Sequence, residues 1–129
     1  MLARDIMTKE VITISPHMPI KDVAALLVQH RISATPVVDG KGKLIGMVSE
    51  ADLMSRQGKT ARTIMSKKLV AVDEEKTVSE IAELLIQHHV NRVPVLREGE
   101  IVGIVSRADI VRAIAMGEHL TLQSPIYDL

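Results

Sequence analysis

Gly46-Met47-Val48-Ser49-Glu50-Ala51-Asp52 and Gly103-Ile104-Val105-Ser106-Arg107-Ala108-Asp109 are one phrase written twice, and their reading decides the fold. Just upstream, Thr35-Pro36-Val37-Val38 meets Val93-Pro94-Val95-Leu96, and Leu26-Leu27-Val28-Gln29-His30 meets Leu84-Leu85-Ile86-Gln87-His88. Further out, Ala3-Arg4-Asp5-Ile6-Met7-Thr8-Lys9 meets Ala61-Arg62-Thr63-Ile64-Met65-Ser66-Lys67. The offset is about 58 residues, with one deletion in the turn before Gly103, and about one residue in three matches. Order, spacing and residue type all agree, which marks a duplicated supersecondary unit.

Each copy predicts the same elements. Val11 to Ile14 and Leu69 to Val72 are short β-branched runs suited to strands. Ile20, Val23, Ala24 and Leu27, matched by Val78, Ile81, Ala82 and Leu85, form the i, i+3, i+4, i+7 stripe of an amphipathic helix. Thr77 followed by Glu80 is a capping box at the start of the second of these helices. Val37-Val38 with Leu44 to Val48, and Val93 to Leu96 with Ile101 to Val105, read as hairpins around turn residues. Helices are predicted at Glu50 to Arg56 and Arg107 to Ala115. The fold class is therefore α/β (α+β), two β-α-β-β-α repeats with residues 1–57 as the first, 58–116 as the second and 117–129 as a tail. Residues 55–60 read as the linker, and the tail, with Pro125 and Tyr127, has no periodicity. One such unit is too small to cover both faces of its helices. The expectation is that two units share one core about a pseudo-two-fold axis and form paired clefts.

Composition removes several functions. The chain has 129 residues, a formal net charge of zero, no cysteine, 47% hydrophobic residues and one aromatic, Tyr127. There is no thiolate nucleophile, disulfide frame or cysteine-based zinc site. No apolar run reaches the roughly 18 residues of a membrane span, and the N-terminus lacks a secretory pattern. A neutral balance without Phe or Trp offers nucleic acid neither a field nor a stacking platform. The expectation is a cytoplasmic protein that binds neither nucleic acid nor membrane.

The pattern resembles tandem cystathionine β-synthase (CBS) domains, the Bateman module. The cues are Ile6-Met7 before a short strand, a helix ending in Gln29-His30-Arg31-Ile32-Ser33-Ala34-Thr35-Pro36-Val37-Val38-Asp39, and the two Gly-x-Val-Ser-x-Ala-Asp phrases. They cover residues 3 to 115. The resemblance implies a regulatory module that senses AMP, ADP or ATP, with S-adenosylmethionine or NAD as further candidates, and that needs no cofactor. It also implies a homodimer and a regulated enzyme or transporter, as in energy sensing. By resemblance, the aspartate closing each phrase holds the ribose hydroxyls, the serine lies near ribose or phosphate, and the Pro-Val strand lines the adenine slot. One cleft would use Met7, Ile12, Ile32, Ser33, Ala34, Pro36, Ile104, Ser106, Arg107 and Asp109. The other would use Met47, Ser49, Asp52, Met65, Val70, Val90, Asn91, Arg92 and Pro94. Arg107 supplies the first set's cation, whereas Arg92 in the second is partly offset by Glu50, so the Ala34–Asp109 set is the favoured nucleotide site.

The residues alone leave alternatives open. Ser49 and Ser106 stand between a strand and a helix start, where free N–H groups suit a phosphate. A carboxylate one turn in accepts two hydrogen bonds from a diol, and an arginine adds charge-assisted bonds to phosphate. The same Ser-x-x-Asp spacing is also an ordinary capping box. His88 and His89 point about 100° apart on a helix, so they do not converge on one ion, and no metal is expected. Methionines placed like Met7, Met47 and Met65 are more often core filler than ligand contacts. No nucleophile–base pair or glycine-rich phosphate loop is present, so catalysis is not expected. The runner-up is a ligand-free scaffold for dimerisation or docking.

Overall fold

The computed structural model describes residues 1–121, so the end of the tail, with Pro125 and Tyr127, lies outside the described residues. In chain order the elements are α1 (Ala3–Ile6), α2 (Ile20–His30), β1 (Ala34–Val38), β2 (Leu44–Ser49), α3 (Glu50–Ser55), α4 (Ala61–Ile64), β3 (Val72–Asp73), α5 (Val78–Gln87), β4 (Arg92–Arg97), β5 (Glu100–Ser106) and α6 (Arg107–Ala115). The class is α/β, as the repeat predicts. The chain divides into two compact units, residues 12–69 and residues 1–11 with the chain from Val70 onward.

The compact units are offset from the sequence copies. In residues 12–69 the strap carrying α4 comes from the second copy. Ala61 N–H donates to the Met18 carbonyl and Arg62 N–H to that of Pro16, both at 2.9 Å, while Ser66 and Met47 exchange backbone bonds at 2.8 and 3.0 Å. In the other unit α1 plays the equivalent part. Ala3 N–H donates to Lys76 (2.7 Å), Arg4 N–H to Glu74 (3.0 Å), and Thr8 and Ile104 exchange bonds at 2.8 and 3.0 Å. Residues 55–60, read as a linker, belong inside the first of these units, where Ile20 N–H donates to the Lys59 carbonyl and Thr60 bridges Pro19.

Each unit has its own cluster of buried residues. Ile14, Val23, Val37, Val48, Ala61, Ile64 and Met65 make one cluster. Val72, Val78, Ile81, Leu85, Val93, Val95, Val105 and Ile110 are the centre of the other, with Ala3. The straps thus supply buried residues to both.

Hairpins supply the sheets. β1 and β2 pair antiparallel with a bulge at Val37/Val38, and β4 and β5 likewise with a bulge at Val95/Leu96. The deletion seen in the alignment falls in the turns. Asp39 holds the longer one by accepting from Lys41 and Lys43 N–H (2.8 and 3.0 Å). These backbone donors also hold its carboxyl below the usual range. The shorter one is the two-residue loop Glu98-Gly99, both at positive φ (53° and 83°), the mirror-image turn that matches strand twist. The predicted strands at 11–14 and 69–72 shrink. Only Ile14 bridges Val37, and β3 begins at Val72, pairing parallel with β4. The equivalent residues Ser15 and Asp73 end both, each side chain accepting an N–H two residues on (3.1 and 2.9 Å).

Candidate functional site

The duplicated serines sit where β2 and β5 run directly into α3 and α6, and both capping boxes form. Asp52 Oδ2 accepts from Ser49 N–H (2.9 Å) and Oγ (3.0 Å), and Asp52 N–H donates back to Ser49 Oγ at 3.2 Å. Asp109 repeats this with Ser106, at 2.8, 3.0 and 3.2 Å. The structural role that the spacing allowed is therefore real in both copies. It leaves each carboxylate oriented by one oxygen, with the other turned to an arginine one turn on. Asp52 Oδ1 lies 3.3 Å from Arg56 Nε, and Asp109 Oδ1 accepts from Arg112 Nη2. Asp109 is only 4% exposed. Arg56 and Arg112 are not among the site residues expected from the sequence. Their signal was available, since a cation three or four residues after an acid lies on the same helix face.

Each residue set expected from the sequence is divided between the two units. Within residues 12–69, Ala34 pairs with Ser49 and Pro36 with Met47 in the hairpin. The Ser33 carbonyl there accepts from Glu50 N–H (2.9 Å), and the Ile12 carbonyl from the Thr35 hydroxyl (3.0 Å). Ile32 N–H closes α2 on the Leu27 carbonyl (3.1 Å), and Met65 belongs to the core. In the other unit, Arg92 pairs with Ser106 and Pro94 with Ile104, and the Asn91 carbonyl accepts from Arg107 N–H (2.9 Å). Met7, Val70 and Val90 pack there against the core.

The two candidate cations have different fates. Arg107 reaches back to the end of α5, Nε donating to the Val90 carbonyl (3.1 Å) and Nη2 to that of Leu85 (3.2 Å). The guanidinium on which the preference for the Ala34–Asp109 set rested is thus engaged in closing a helix, as cations near a helix C-terminus do. Arg92 instead carries a buried Nε with no hydrogen-bond partner among the described residues, a costly state for a donor unless something meets it. Among the described residues, no group of three or more His, Asp or Glu is placed to hold a metal, and no helix is long and apolar enough to cross a membrane.

A strand–serine–helix unit with an ordered carboxylate thus occurs twice in the chain. The chain belongs to the CBS domain family, whose profile matches residues 3–59 and 61–116. Among relatives, it is 34% identical over 114 residues to the CBS domain-containing protein YhcV of Bacillus subtilis, covering 83% of this chain and 81% of that one. Of two longer relatives, both named as enzymes, it spans 23%. Two solved structures are similar throughout. One is CBSX2 in complex with AMP, with a TM-score of 0.84 and 26% identity, covering 89% of this chain and 96% of that one. CBSX2 is from Arabidopsis thaliana. The other is the CBS domain pair of protein MJ0100 with 5'-methylthioadenosine and S-adenosyl-L-methionine, at 0.81 and 30%, covering 92% and 98%.

Proposed function

We propose that the chain is a regulatory module that binds an adenosine compound and performs no catalysis itself. The observation that carries this is the pair of serine-ordered carboxylates, Asp52 and Asp109, in a chain similar to CBS pairs solved with AMP and with S-adenosylmethionine. A carboxylate fixed by its own N-cap serine holds its other oxygen ready for a ribose hydroxyl without reorganising, which limits the cost of binding. The full residue sets implied by the family resemblance remain the proposed lining. Within them, the unpartnered Nε supports Arg92 over Arg107 as the phosphate-side cation. Ligand would act by favouring one conformation of a homodimer or of a regulated enzyme or transporter, through its differential affinity for the two states.

Titration calorimetry with AMP, ADP, ATP, NAD and S-adenosylmethionine, on protein stripped of nucleotide, tests the reading. A dissociation constant near 1 μM, about −8 kcal/mol, is expected for at least one of them. Asp52→Ala combined with Asp109→Ala is expected to abolish or strongly weaken that binding. Silence across the panel at millimolar concentration overturns the proposal.

One observation favours the scaffold reading. α5 and α6 border an apolar hollow of about 240 Å³, lined by Leu85, Ile86, Ile110, Val111 and Leu120 among others, and Val111, Ile114 and Met116 on α6 and at its end are exposed. If the panel is silent while sedimentation shows a stable dimer, the scaffold stands in its place.

A further inference from the structure

The arginine one turn after each site aspartate is a feature that neither capping nor ribose binding requires. The Ser-x-x-Asp box is complete without it, since serine supplies both bonds to one carboxylate oxygen. Arg112 nevertheless places its guanidinium on the other oxygen of Asp109, and Arg56 does the same at Asp52. The two pairs arise from different spacings, i to i+3 and i to i+4, so the repeat alone does not account for them. Arg112 is largely exposed, at 68%, whereas its partner is almost fully buried. The arginine therefore contributes little packing, and what it changes is the charge that Asp109 presents.

That charge decides which adenosine compounds are tolerated. A bare buried carboxylate accepts hydrogen bonds from a ribose diol, yet it repels an anionic group on the same molecule a few ångströms away. A guanidinium held on the far oxygen cancels most of the repulsion and still leaves that oxygen one lone pair for a ribose hydroxyl. A neutral nucleoside meets no such repulsion, so it gains nothing from the arrangement and a phosphorylated one does.

We propose that Arg112, by neutralising Asp109, is a specificity-determining positioning residue that sets the site for anionic, phosphorylated adenosine compounds over the uncharged nucleoside. This rests on the adenosine-binding reading above. Arg56 plays the same part at Asp52, with a looser pair.

Adenosine and AMP differ by the phosphate alone, so the ratio of their dissociation constants measures the selector directly. It is read by calorimetry on the full chain and on Arg112→Gln and Arg112→Lys, with thermal unfolding monitored to show that each variant is folded. Arg112→Gln is expected to lower the preference for AMP about tenfold with little change in adenosine affinity, and Arg112→Lys to restore most of it. Raising the salt concentration is expected to narrow the gap between wild type and Arg112→Gln. A ratio unchanged in Arg112→Gln, or shifted toward AMP, overturns the selector while leaving adenosine binding standing. Failure of the unsubstituted protein to bind either compound, or any other of the panel, overturns the binding reading and the selector with it.

Discussion

Arg31 and His89 occupy equivalent places after α2 and α5, and both take the left-handed conformation, with φ of 54° and 53°. The following N–H groups reach back five residues, Ile32 to the Leu27 carbonyl and Val90 to that of Leu85, both at 3.1 Å. This is the closure in which glycine is usual, because a Cβ clashes in that region. Arg31→Gly is expected to raise stability by about 0.5 to 1 kcal/mol, with ligand affinity unchanged, as measured by chemical denaturation. A loss of stability would show that the arginine side chain makes up for its backbone. The site residues at this scale were only partly legible. Ser49, Asp52, Ser106 and Asp109 follow from a local spacing that any helix start enforces. The end point of a long side chain does not. Arg107 looked like a phosphate ligand by position, yet its guanidinium lies on the carbonyls of Val90 and Leu85.

The glycine that opens each duplicated phrase explains how the strap is held against its hairpin. A Cβ on Gly46 would stand 2.5 Å from Met65 Sδ and 3.1 Å from the Ser66 carbonyl oxygen, and one on Gly103 would stand 3.0 Å from Met7 Cβ. Met65 is buried and the Ser66 carbonyl is backbone, so Gly46→Ala leaves neither room to yield. The substitution is expected to cost about 1 to 3 kcal/mol, an ordinary penalty for overpacking, and to speed amide exchange at Met47 and Ser66. Thermal unfolding with hydrogen exchange checks both, and an unaltered midpoint would mean that the strap is loosely seated. Elements were the most legible level. The stripes of α2 and α5 were read from periodicity, because burial of one face imposes it, and the hairpins from their turn residues. The four-residue helices α1 and α4 were not, since one turn is too short to show a period.

At the scale of the molecule, the offset between sequence copies and compact units makes a test. Ala61, Ile64 and Met65 are buried in the core of residues 12–69, so that unit is complete only when the start of the second copy is present. A fragment of residues 12–69 is expected to unfold cooperatively on heating, and one of residues 1–57 to show no transition, as followed by circular dichroism. Equal folding by both would sever the strap from the core. The sequence by itself determined the duplication, the helix and hairpin pattern and the serine–aspartate pairs, because each depends on contacts within about four residues or on the burial of one face. Only the tertiary structure decided which strap completes which unit, which arginine is engaged and which is left with an unmet donor. Ala3-Arg4-Asp5-Ile6-Met7 and Ala61-Arg62-Thr63-Ile64-Met65 are near copies, so either suits either hairpin locally. The choice belongs to close packing between residues far apart in the chain, which no local pattern records.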